Sequence, residues 1–86
     1  MADTVTSEHS ARIDRFVGGL EGRTREIATA YLGIPNTPDC QPEVLAFYFK
    51  FGDQSRKVTE QVEGLRQELE LPFDVLQSEL RKRLYQ

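Results

Sequence analysis

At 86 residues the chain has room for a single domain, and a chain this short buries only about 60–65% of the surface its unfolded form exposes. Hydrophobic residues make up 38% and charged residues 29%, too apolar a mixture for a disordered segment. The formal charge of −3 argues against a purely electrostatic nucleic-acid binder, although one locally basic element stays compatible with it.

The single cysteine, Cys40, has no partner within the chain for a disulfide, so a reducing compartment, simply the cytoplasm, is expected. The longest unbroken apolar run, Val44 to Phe49, is far short of the roughly 18 residues of a membrane span, and no membrane partner is expected. Met1 to Ser7 lacks both a basic region and an apolar stretch, so no leader peptide is expected; residues 1–7 read as a flexible N-terminus before one helical domain over 8–86.

The first pattern is Ile13, Val17, Leu20, Thr24, Ile27 and Tyr31, at alternating steps of four and three residues, which is one face of a helix. Ser7 or Ser10 is suited to cap its start. Leu32-Gly33-Ile34-Pro35 ends it, with Gly33 where a left-handed C-cap is common. Gly18, Gly19 and Gly22 interrupt the pattern, each disfavouring helix by about 1 kcal/mol relative to Ala. They predict a break into helices near 8–17 and 21–32, or else a place where another helix approaches closely. The segment lacks the Lys-Ser/Thr of a phosphate loop and carries Glu21, which would repel phosphate.

Residues 34–41 form a Pro-containing connector, and Pro42 suits the first turn of a new helix. Phe47, Tyr48, Phe49 and Phe51 follow, half of a complement of five Phe and three Tyr. Their alternation also fits a strand. A strand needs a partner and no second convincing strand follows, so a helix apolar on most sides, central and buried, is expected; a strand pairing between molecules is the alternative. Asp53 is placed to cap the next helix, whose buried face is Val58, Val62, Leu65 and Leu69. Leu71-Pro72 stops or kinks it. Phe73, Leu76, Leu80 and Leu84 mark the last helix, with Arg81, Lys82 and Arg83 complementing its C-terminal dipole. The fold class is therefore all-α, a small bundle of four helices, or five if the glycines break the first.

Within residues 65–84, Leu69, Leu71, Leu76 and Leu80 have the apolar spacing of a helix-turn-helix, which resembles that DNA-binding motif and equally suits an ordinary helical hairpin. If the resemblance holds, the second helix turns Asp74, Gln77, Ser78, Arg81 and Lys82 outward, with Gln77, Ser78, Arg81 and Lys82 as the nucleic-acid contacts. The chain departs from the motif at two points: Glu70 stands where the turn usually has Gly, and Arg66 where the crossing usually has a small residue.

Chemistry has little to work with. His9 is the only histidine and lies near the N-terminus, and no histidine base stands beside Cys40 in sequence to activate it as a nucleophile. No enzymatic activity, metal, cofactor or small-molecule substrate is expected. The expected function is a non-enzymatic protein–protein interaction module, an adaptor or regulator that packs its helices against a protein partner or a second copy of itself. Phe47, Tyr48, Phe49 and Phe51 are its interface candidates, and the same residues could instead be core. The alternative is a DNA-binding regulator using the 65–84 hairpin.

Overall fold

The computed structural model describes residues 5–35 and 37–85. It contains five helices, α1 (Ser7–Gly18), α2 (Gly22–Leu32), α3 (Gln41–Phe51), α4 (Asp53–Leu69) and α5 (Phe73–Leu84), with no strand among the described residues. The expected flexible segment 1–7 lies outside the described residues at 1–4, and Ser7 already belongs to α1.

Thr6, rather than Ser7 or Ser10, caps α1. Its hydroxyl accepts the His9 backbone N–H at 3.1 Å, and the His9 Nδ1 accepts the Thr6 backbone N–H at 3.3 Å. Two otherwise unpaired donors are thus satisfied reciprocally, with His9 in the place a Glu or Gln usually takes. The glycine cluster does break the helix. Gly19 closes α1, Leu20 tucks into the core, and Gly22 takes a φ of 55°, where side chains are strained. A side chain at Gly18 or Gly22 would meet nothing within 4 Å, so neither marks a close approach of another helix within the chain. The break also re-phases the pattern: Ile13, Val17, Leu20 and Ile27 are buried, whereas Thr24 is exposed.

Gly33 ends α2 with a φ of −82°, a right-handed conformation, not the expected left-handed cap. Its role is steric. A side chain there would collide with the Tyr85 hydroxyl, which donates to the Thr29 carbonyl at 2.7 Å. At the α3–α4 junction Gly52 adopts φ 61° and ψ −136°, so α4 starts at Asp53 itself and Asp53 is not its cap. The buried Ser55 hydroxyl donates to the Gly52 carbonyl.

The core draws on every helix: Ile13 and Val17 from α1, Ile27 and Leu32 from α2, Phe47 and Phe51 from α3, Val58 to Leu69 from α4, Leu76 and Leu80 from α5. Helix α2 packs against α3, α4 and α5, while α1 lies chiefly against α5. Helix α3, expected to be central, lies at the edge of the bundle, held by α2 and α4.

Candidate functional site

Residues two apart on a helix point about 200° from each other. That spacing divides the aromatic block. Phe47 and Phe51, 5% and 8% exposed, turn inward. Phe47 sits with ring centroids 5.4 Å from Tyr31, 5.4 Å from Tyr48 and 5.3 Å from Phe51. The Arg23 guanidinium lies 5.0 Å from the Phe51 ring centroid. Burial, with smaller contributions from Tyr48 and Glu63, holds the Tyr31 phenol above its ordinary pKa. Phe49 points the other way and is 93% exposed, with Leu45 one turn earlier 59% exposed. Tyr48 stands at the edge, its hydroxyl 3.4 Å from the Thr59 hydroxyl. Of the four interface candidates, Phe47 and Phe51 are core, Tyr48 straddles the boundary and Phe49 is surface. Sequence alternation at 45, 47, 49 and 51 hides this division, because only the helical period separates the two faces.

Pro42 and Ala46 are also exposed and lie within about 100° of Leu45 and Phe49 around the axis, so α3 presents a continuous apolar stripe. The other half of the helix is anchored by the aromatic core beneath it. The stripe is consequently an ordered surface and not a frayed one.

Along α4, the turn and α5, Leu69, Leu71, Leu76 and Leu80, the four positions of the helix-turn-helix spacing, are buried. Glu70 takes the left-handed conformation, φ 54° and ψ 41°, that the motif's Gly usually supplies. The Leu71 N–H to Arg66 carbonyl bond and the Glu70 N–H to Gln67 carbonyl bond close the turn. The Arg66 guanidinium pairs with Glu63, with a further bond to the Leu71 carbonyl at 3.4 Å.

The outward placement expected for Gln77 does not hold. Gln77 is 6% exposed, and its amide donates to the carbonyls of Leu32 and Ile34 at 3.1 and 3.0 Å. Arg81, one turn on, donates to Leu32 at 2.6 Å and reaches Ile34 at 3.5 Å. A helix leaves its last carbonyls without internal partners, and these two side chains supply donors at the end of α2. Their four-residue spacing, together with a helix ending at Leu32-Gly33, was the available signal for this role. Ser78 and Asp74 are exposed, and Lys82 pairs with Glu79 at 3.0 Å.

His9 and Cys40 line different clefts. His9 borders a groove with Arg12, Glu68 and Glu70, while Cys40, the residue before α3, borders one with Tyr31, Val44 and Phe73. Among the described residues no three His, Cys, Asp or Glu side chains gather as a metal site would require, and no helix is long and apolar enough to cross a membrane.

Fold and surface together define a small five-helix bundle that carries an exposed apolar stripe on an edge helix. Comparison with known proteins found no matching family model, no matching curated protein and no matching solved structure.

Proposed function

We propose that this chain is a non-enzymatic protein–protein interaction module, an adaptor or regulator, with the outward stripe of α3 as its contact face. The observation that carries the reading is Phe49, 93% exposed on a helix whose other side is locked into the core. Covering an exposed Phe or Leu side chain stabilises a complex by about 1.5–3 kcal/mol each, and aromatic anchors often dominate interface energetics. The stripe is rigidly presented, so little ordering entropy opposes its use. The free Cys40 thiol accords with a reducing compartment, and we place the protein in the cytoplasm on that ground.

The test is affinity capture from the extract of its own cells, comparing the wild type with Phe49→Asp, after circular dichroism has established equal helicity. A protein held by the wild type and lost by the variant supports the reading. Identical captured proteins for both would sink it. A DNA-reading role for residues 65–84 draws less support, because Gln77 and Arg81 are engaged with α2 and the outward groups include Asp74.

A further inference from the structure

We infer that the occupant of the α3 stripe is α3 of a second copy of this chain, packed antiparallel about a two-fold axis near residues 46 and 47. The inference rests on the interaction reading above and names its partner.

Two features of the helix carry it. The first is the symmetry of the stripe. Leu45 and Phe49 lie equally far on either side of residue 47, so an antiparallel copy sets each Leu45 against the other copy's Phe49. Such an isologous contact needs a self-complementary patch.

The second is charge. Glu43 and Lys50 are exposed and flank the same edge of the stripe, about 20° apart around the axis and two turns apart along it. Neither forms an ion pair among the described residues; the Lys50 ammonium rests 5.3 Å from the centroid of the neighbouring Phe51 ring, a contact it exchanges for the ion pair across the seam. A two-fold axis perpendicular to both helices keeps that edge facing its own counterpart and reverses the order along it. Glu43 then meets Lys50 of the other copy, and Lys50 meets Glu43, giving two ion pairs. A parallel pairing rotates the charged edge to opposite sides and sets it against the edge bearing Gln41 and Tyr48, leaving both charges unpaired. Charged edges of this kind select orientation in paired helices.

The size of the face sets the strength. Helix α3 has 11 residues, so its face is about 16 Å long. A standard stable interface takes about 800 Å² from each partner, more than one short helix face supplies. A weak, reversible dimer is therefore expected.

Sedimentation equilibrium on the purified chain, over about 5–500 μM, is the deciding experiment. Wild type should pass from monomer to dimer across that range, and Phe49→Asp should stay monomeric. Glu43→Lys alone and Lys50→Glu alone should each weaken the dimer by about 3–10-fold, since each replaces two rim attractions by repulsions. Mixing those two single variants should restore wild-type affinity in the mixed dimer, as should Glu43→Lys combined with Lys50→Glu in one chain. A monomer at the highest concentration overturns the inference. If Phe49→Asp then still loses a captured protein, the interaction reading survives with another occupant; if capture is also unchanged, both fall. A dimer indifferent to Phe49→Asp, or to the charge exchanges, likewise overturns the antiparallel α3 pairing.

Discussion

At the scale of single residues, neighbours in sequence differ most where the helical period separates them. Phe47 and Phe49 are chemically identical and two positions apart, yet one is 5% and the other 93% exposed. Phe47→Ala should cost about 3–5 kcal/mol, because it empties space between Tyr31 and Phe51. Phe49→Ala should change stability by no more than about 0.5 kcal/mol, as its side chain is almost wholly exposed. Paired urea titrations of the two variants measure the contrast, and equal losses would show that α3 packs differently. Glu70 offers the opposite case. It holds a left-handed conformation that disfavours side chains by about 1–2 kcal/mol. Gly relieves that strain while adding about 0.5–1 kcal/mol of unfolded-state entropy. Glu70→Gly should therefore stabilise the protein by about 0.5–1 kcal/mol, read as a rise in the urea midpoint at unchanged slope.

At the scale of elements, the seams of α4 and α5 were legible from residue spacing alone. Val58, Val62, Leu65 and Leu69 are all buried, as are Leu76 and Leu80. The glycine break between α1 and α2 was legible too, because Gly18, Gly19 and Gly22 oppose helix through backbone entropy, a local property. The side on which α3 meets the bundle was not, since its residues are apolar nearly all round and hydrophobicity alone selects no face. Nor was the bond between α5 and the end of α2, which joins residues more than forty positions apart. Gln77→Ala tests that junction. It removes the buried amide from the Leu32 and Ile34 carbonyls and should cost about 1–3 kcal/mol, with Arg81 retaining part of the cap. Denaturant unfolding checks the magnitude, and a loss near zero would mean that water replaces the amide freely. The last turns of α5 also set an acid response. The Lys82 hydrogen bond, with that of Arg83, holds the Glu79 carboxyl below its ordinary 4.5 against the opposing effect of burial. A carboxyl whose pKa is lower in the folded chain contributes stability that is fully present above 4.5 and lost as the pH falls through its folded value. Glu79→Gln should accordingly be less stable than wild type at pH 7 and should flatten the decline on acidification below that point. Thermal melts from pH 7 down to pH 3 would reveal whether the two curves converge.

At the scale of the whole molecule, the five helices are not bound equally. Helices α2 to α5 share contacts in several directions, whereas α1 leans chiefly on α5. Ile13 and Val17 supply its apolar anchor. Its polar anchors are Arg12, bonded to Glu68 at 2.6 Å, and Arg83, whose guanidinium donates to Asp14 and to the Ser10 hydroxyl at 2.9 Å. Arg83 also donates to the Glu79 carbonyl at 2.8 Å, so one side chain ties the final turn of α5 to itself and to the first helix. Arg12 and Glu68 are substantially exposed, and such a pair contributes little. The Arg83 side chain is 18% exposed, and the loss of its charged hydrogen bonds should cost about 1–2 kcal/mol. That loss falls on one boundary, between α1 and α5. Local opening follows the weakest boundary of a structure, so Arg83→Met should speed amide exchange in residues 10–18 far more than in residues 58–69 of α4. Exchange measured residue by residue decides the matter: uniform acceleration would mean that the bundle opens only as a whole, and selective acceleration would establish α1 as the unit that detaches first.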